Sequence, residues 1–278
     1  MRFAFITVGK LNGENLIMNS VNKTLYIPLY GKALVSKRGI ILDDKKAEEI
    51  WGKVEFSLKR KSKSKWLALY MGMRSRVFDD WVEDKLKEFP NSVVLNLGCG
   101  LDSRFERVKE LSKSWYDVDF ETVINERKNY YKETEIYHMI CADVRDCSFI
   151  SGLEKAERAI VVLEGLSMYL TNDQLRKIFA SLNEYFPHLS VLIDCYTPFA
   201  VKMSKIKNPV NEVGVAQVFG VENSKILEKD TGLTFVNERE ITPKRLIDQL
   251  CGVEKFIFKS VYAGRTSKKL YKLYEYES

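Results

Sequence analysis

Val93-Val94-Leu95-Asn96-Leu97-Gly98-Cys99-Gly100-Leu101-Asp102-Ser103-Arg104 decides the fold of this 278-residue chain. Its apolar start reads as a buried parallel strand. The Gly-x-Gly turn after it lets a ligand approach the backbone with no Cβ in the way. Arg104 to Leu111 reads as a helix whose free N–H groups point back at the turn. Strand, glycine turn and helix form the opening unit of a nucleotide-type α/β fold.

Toward the C-terminus the same unit repeats. Trp115–Asp119 reads as a second strand, and Asp119 lies 19 residues beyond Gly100, close to the ~20-residue interval at which a carboxylate reaches the ribose of an adenine nucleotide. Asp117 competes for that role, but the last residue of the strand is the one that faces the crevice. A helix from Glu121 to about Tyr131 and a strand over Ile136–Cys141 follow. Asp143, just past that strand and next to Val144, can accept from the exocyclic amine of adenine, or can cap the next segment. Ala159–Leu163 is a fourth strand and ends in Glu164. Thr171 and Gln174 form a capping box for a helix to about Tyr185, and Ser190–Cys195 is a fifth strand. Asp119, Asp143 and Glu164 thus share the carboxyl edge of one parallel sheet, where open α/β sheets bind ligands.

The alternation breaks over residues 197–230, and an insertion at the ligand edge is expected to act as a lid. Leu233–Ile241 and Lys268–Tyr276 alternate as closing strands, with a helix started by Thr242-Pro243 between them. The expected architecture is α/β: a Rossmann-like, mostly parallel sheet of about seven strands over residues 91–278. Residues 1–90 form a helical cap and substrate region. In that preface, Asp43 or Asp44 caps a helix through Ala47, Ile50 and Trp51. Trp66, Tyr70, Met73, Val77 and Trp81 mark one face of a long helix stopped by Pro90. Arg74 and Arg76 sit on it among apolar neighbours, so one of them needs a buried anion, from a ligand or from the protein itself.

Composition narrows the function classes. The chain is 45% hydrophobic and 29% charged with a net charge of +6, ordinary for a folded protein with a solvated basic surface. Five scattered cysteines, no secretory N-terminus and no run of ~18 apolar residues point to a cytoplasmic protein with no membrane partner. His138 and His188 have no ligand-spaced partner, so no metal site is expected. The Lys59–Lys65 basic run has no interleaved aromatics and reads as an exposed turn rather than a nucleic-acid contact. A non-enzymatic scaffold that binds nucleic acid through that run would show a steep salt dependence.

Two cofactors fit a Gly-x-Gly unit. An NAD-dependent dehydrogenase wants a third glycine or alanine where Ser103 stands, and would set a pyrophosphate beside Asp102. One such charge pair at ~6 Å, with an effective dielectric of ~20, costs about 3 kcal/mol. S-adenosyl-L-methionine carries a sulfonium and an ammonium instead, which an acid-rich edge welcomes.

Four stretches together resemble the leucine carboxyl methyltransferase family and its bacterial polyketide O-methyltransferase relatives: Leu95–Phe105, Tyr116–Ile124, Ala142–Asp146 and Leu163–Leu170. The likeness includes the preface stretch Tyr70–Asp80. It implies a class I S-adenosylmethionine-dependent O-methyltransferase acting on a carboxylate or phenolic hydroxyl of a small molecule, or on a protein's C-terminal carboxylate. By the same resemblance, Gly98 and Gly100 line the methionine part of the cofactor, Asp119 binds the ribose, and Asp143 with Val144 the adenine. Glu164 sits near the amino-acid end and Arg74, rather than Arg76, clamps its carboxylate. Lys32 matches a basic position of the preface only weakly. An ionised carboxylate needs no general base, so no catalytic residue is assigned; Tyr169 and Tyr196 lie near the expected mouth.

Overall fold

The computed structural model describes residues 24–54, 58, 60–108, 112–204 and 217–278. Lys59, the end of the helix expected to reach Leu111, and residues 205–216 of the insertion lie outside them.

Among the described residues, three α-helices precede the sheet: α1 (Tyr26–Lys37), α2 (Lys45–Lys53) and α3 (Lys65–Glu88). Asp44 caps α2 by accepting from the Ala47 amide at 2.8 Å. Then β1 (Val93–Leu97), α4 (Arg104–Val108), β2 (Ser114–Asp119), α5 (Glu121–Arg127), β3 (Tyr137–Cys141), β4 (Arg158–Leu163), α6 (Asn172–Tyr185) and β5 (His188–Tyr196) alternate as the pattern requires. After β5 come α7 (Pro198–Ser204), β6 (Thr234–Arg239), α8 (Lys244–Ile247), α9 (Gly252–Ile257), α10 (Arg265–Leu270) and β7 (Tyr271–Glu277).

The seven strands form one sheet in the order β3-β2-β1-β4-β5-β7-β6. The first five are mutually parallel, and β7 runs antiparallel between β5 and β6. β1 is central and buried along its whole length, which explains its unbroken apolar run. Successive residues of β1 feed opposite faces. Val94 joins a core with Leu29, Val35, Phe78 and Trp81 of the preface helices. Val93, Leu95 and Leu97 join a second core with Leu175, Ile178, Phe179 and Leu182 of α6. The helical preface is thus the layer that covers one face of the sheet. Trp81 fastens it further, its indole Nε1 donating to the buried Glu275 of β7 at 2.8 Å. On the other face, the expected capping box of α6 is complete: Thr171 Oγ1 accepts from the Gln174 amide at 3.2 Å and Gln174 Oε1 from the Thr171 amide at 2.8 Å.

Several boundaries differ from expectation. α5 stops at Arg127, not Tyr131, because the following amides of Asn129 and Tyr130 turn back onto carbonyls three residues before them. The single helix expected between the closing strands is α8, α9, a π-helical turn at Phe258–Tyr262 and α10. Gly252 (φ 50°), which opens α9, and Gly264 (φ 57°), which precedes α10, break it, both at a positive φ that glycine adopts without strain. Pro243 is the N-cap of α8, one residue before the position expected.

Candidate active site

Where the strands of the parallel sheet end, a cavity of ≈ 920 Å³ opens between the sheet edge and the helices α1, α3, α7 and α10. It lies at the upper end of the size range of ligand sites and has room for a nucleotide cofactor beside a second small molecule. Gly98, Gly100, Asp119, Asp143, Val144 and Glu164 all line it, and so does Arg74 from α3. Every residue expected at the cofactor therefore converges on one cavity. Arg76 lies outside, half exposed and paired with Asp80 at 2.6 Å.

The turn after β1 has the conformation its glycines permit. Gly98 (φ 69°) and Gly100 (φ 53°) are both left-handed. A Cβ on Gly98 would meet the Leu166 side chain at 2.9 Å. Gly98→Ala is expected to cost about 1–2 kcal/mol of stability from the unfavourable φ alone and to weaken cofactor binding by displacing Leu166 into the cavity. Thermal melts with and without S-adenosylhomocysteine check both effects; an unchanged ligand-induced shift would separate the turn from the site.

The amides of the turn are largely spent inside the protein. Gly98 N–H donates to the Val118 carbonyl at 2.8 Å, Cys99 N–H to the same carbonyl at 3.3 Å and Asp102 N–H to the Cys99 carbonyl at 3.0 Å. Gly100 N–H donates to Asp119 Oδ2 at 2.8 Å. Such a turn has few donors left with which to cradle a pyrophosphate. This is a firmer reason against a dinucleotide than the charge of Asp102. That carboxylate is buried and already matched, with Lys32 Nζ 2.6 Å away and Arg104 and Arg107 at 3.0 and 3.3 Å. Burial alone would push the Asp102 carboxyl up, but Arg104, Lys32 and Arg107 hold it well below the usual carboxylate range. The ~3 kcal/mol repulsion expected from a free Asp102 therefore does not arise.

The two acids of β2 separate cleanly. Asp117 is fully buried and committed to Asn96, Trp115, Tyr137 and Arg127. Asp119, half-buried on the cavity wall, accepts among the described residues only from the Gly100 and Phe120 amides, both at 2.8 Å. Lone pairs remain for a ligand's hydroxyl groups. Burial outweighs those amides and pushes the Asp119 carboxyl up to about 6. Asp143 is half-exposed and held by its neighbour Arg145, with Nε 2.8 Å from Oδ2 and the Arg145 amide 3.0 Å from Oδ1. Val144 beside it is buried and supplies an apolar wall.

Glu164 and Arg74 belong to a buried ionic network that sequence spacing does not reveal. Arg74 Nε donates to Glu164 Oε1 at 3.0 Å and its Nη1 to Asp194 Oδ2 at 2.8 Å. Arg104 joins Glu164 to Asp79, and Arg107 joins Asp79 to Asp44. With Lys32 and Asp102, five acids face four bases. The edge is not simply acid-rich, as the strand-end carboxylates suggested. The formal charge of the network is −1, which still suits a cationic cofactor. Lys32, only weakly marked in sequence, is as buried as Arg74 and lines the same cavity.

The other half of the cavity is aromatic. Trp66, Tyr70, Tyr169, Tyr196, Tyr262 and Tyr271 line it. Trp66 stacks on Tyr262 with centroids 5.3 Å apart, and Tyr271 packs against Tyr196 at 4.7 Å and Tyr70 at 5.6 Å. Tyr70 and Ser267 are joined through their hydroxyls at 3.0 Å. Tyr169 and Tyr196 were expected near the mouth and the rest were not: Trp66 and Tyr70 marked only a helix face, Tyr271 fell in a closing strand, and Tyr262 comes from the segment expected to be a single helix.

The leucine carboxyl methyltransferase model matches residues 19–183, more than half of the chain. This chain belongs to the leucine carboxyl methyltransferase family. It is a methyltransferase whose methyl donor is S-adenosylmethionine, and the dehydrogenase and scaffold readings fall away. Among its relatives is the tetracenomycin polyketide synthesis O-methyltransferase TcmP of Streptomyces glaucescens, 28% identical over 248 residues. That match covers 88% of this chain and 92% of the relative. Two solved structures share the fold. One, from Thermobifida fusca, has a TM-score of 0.56 at 12% identity and covers 78% of this chain and 88% of its own. The other, magnesium protoporphyrin IX methyltransferase from Synechocystis with bound S-adenosylhomocysteine, has a TM-score of 0.51 at 11% identity, with 84% and 92% covered. Among the described residues no helix is long and apolar enough to cross a membrane.

Proposed function

We propose that this methyltransferase esterifies the carboxylate of a small aromatic acid. The observation that carries the reading is the aromatic half of the cavity, which is lined by rings and, among the described residues, holds no proton acceptor suited to neutral pH. Neither histidine of the chain lines the cavity: His138 stacks on Tyr116, and His188 begins β5 at the opposite edge of the sheet. Burial pushes the hydroxyls of Tyr70, Tyr169 and Tyr271 up, away from the range in which a phenolate could act as a base. A phenol acceptor would have to lose its proton to such a group, whereas a carboxylate arrives ionised.

The glycine conformations, the free lone pairs of Asp119 and the charge of the network fit S-adenosylmethionine. When bound, it supplies an electrophilic methyl group on a sulfonium. In this reading Asp119 accepts from the ribose hydroxyls, and Asp143 with Val144 frames the adenine. Gly98 and Gly100 leave space for the methionine chain, and Glu164 lies toward its ammonium. Arg74 turns its remaining edge to its carboxylate. The preface helices, with α7 from the 197–230 insertion, wall off the acceptor half and exclude water. The acceleration comes from holding two reactants in line rather than from proton transfer.

Incubation with labelled S-adenosylmethionine and matched aromatic acids, phenols and peptides with free C-termini tests this. Alkali-labile methyl esters of the aromatic acids are expected. Alkali-stable ethers alone, or label only on peptide termini, would overturn it. With saturating cofactor, turnover of an acid should be flat between pH 7 and 9, where a base-dependent phenol reaction would rise.

A further inference from the structure

Asp194 is the fully buried acid at the end of β5, and its two oxygens face two different parts of the site. Oδ2 accepts from Arg74 Nη1 at 2.8 Å, and Oδ1 accepts from the Gly165 amide at 2.7 Å. Its backbone carbonyl also accepts from Ser167 Oγ, closing the same turn. One carboxylate therefore fixes the spacing between a guanidinium on α3 and the turn that follows β4. Gly165 is left-handed (φ 73°), and a Cβ there would lie 3.2 Å from Arg74 Nη2. That third nitrogen donates to no described residue, while Nε and Nη1 are held by Glu164 and Asp194.

We propose that Asp194, together with the Gly165 turn it holds, is a positioning residue that presents the Nη2 edge of Arg74 to the carboxylate of the cofactor's amino-acid tail. The inference rests on the assignment of Arg74 to that carboxylate. Nothing in the arrangement requires Asp194 to touch the ligand: it acts through the arginine and the turn. The carboxylate is needed because it accepts on both oxygens. An asparagine in its place would set an N–H₂ against one of the two donors and release either the guanidinium or the turn.

Two ligands separate positioning from mere structure. S-adenosylhomocysteine carries the amino-acid tail, and 5′-methylthioadenosine is the same thionucleoside without it. By calorimetry, Asp194→Asn should weaken S-adenosylhomocysteine about tenfold, as for loss of one charge-assisted hydrogen bond, and leave 5′-methylthioadenosine within about twofold. Gly165→Ala, which crowds the same edge from the other side, should show the same selectivity and serves as the decisive variant if Asp194→Asn does not fold. Equal weakening of both ligands, or of neither, would overturn the proposal. Arg74→Lys discriminates the two layers. If it loses S-adenosylhomocysteine selectively while the other two variants do not, only the role of Asp194 falls. If Arg74→Lys shows no selectivity, the assignment of Arg74 falls and Asp194 with it.

Discussion

Asp79→Ala is expected to destabilise the protein by about 3–5 kcal/mol, the range for stripping one partner from a buried ion pair. The Asp79 side chain is 1% exposed, and it accepts from Arg104 Nε at 2.8 Å, Arg107 Nε at 2.6 Å and Arg107 Nη2 at 2.9 Å. Alanine leaves two guanidinium groups in the interior with fewer acceptors and no water to replace them. Against a typical total stability of about 5–15 kcal/mol, the loss is large enough to see as a shifted denaturation midpoint at unchanged slope. The neighbouring Asp80 is the control: it pairs with Arg76 and Arg245 at the surface, and Asp80→Ala should cost less than about 1 kcal/mol. A loss at Asp79 as small as that at Asp80 would mean that water already reaches the network. Buried ion pairs are seldom a net source of stability compared with apolar packing. A network of this size beneath the cavity is better explained by what it orients, Glu164 and Arg74, than by what it stabilises.

The core strands were legible because their signals are local. Val93–Leu97, Arg158–Leu163 and His188–Tyr196 carry long apolar runs bounded by polar or turn residues, and a strand buried on both faces needs no partner to announce itself. The strand-end acids were legible for the same reason: Asp119 ends its strand and Glu164 follows directly on its own. Their neighbours were not. Lys32 meets Asp102 across 70 residues and Arg74 meets Asp194 across 120, distances over which no periodicity carries information. The one clue to Asp194 was an acid inside the apolar run Val191-Leu192-Ile193-Asp194-Cys195, which demands a buried donor without saying which. Failure to see those bases is why the edge read as a concentration of negative charge. The C-terminal helices were merged because Gly252, Gly264 and a π-helical turn interrupt any helical period between Lys244 and Leu270, and Tyr262, the one ring of the aromatic wall in that turn, was hidden with them.

The largest effect on cofactor binding is expected at Asp119. A carboxylate accepting from two ribose hydroxyls makes charge-assisted hydrogen bonds, each of about 1.5–3 kcal/mol, so Asp119→Ala should weaken S-adenosylhomocysteine by at least ~1 kcal/mol and as much as a hundredfold. Its raised carboxyl, titrating at about 6, adds a second readout. The ribose donors need the ionised form, so affinity should be full above pH 7 and fall about tenfold per unit below pH 6. For stability the sign is reversed. A carboxyl pushed above its unfolded value favours the folded state while protonated, so its contribution is present below about pH 4 and is lost as the pH rises through 6. Acidification should therefore weaken the ligand while this group's own effect on the empty protein is stabilising, a divergence that general acid unfolding does not produce. Calorimetry between pH 5 and 8 on the wild type and Asp119→Asn checks it: the wild type should bend near pH 6 and the variant should bind weakly with no bend. A variant that keeps the bend would assign it to another carboxyl, with Asp194, also raised by burial, the first to replace. Asp117 cannot take over the ribose, because both its oxygens are already bound by Asn96, Trp115, Tyr137 and Arg127.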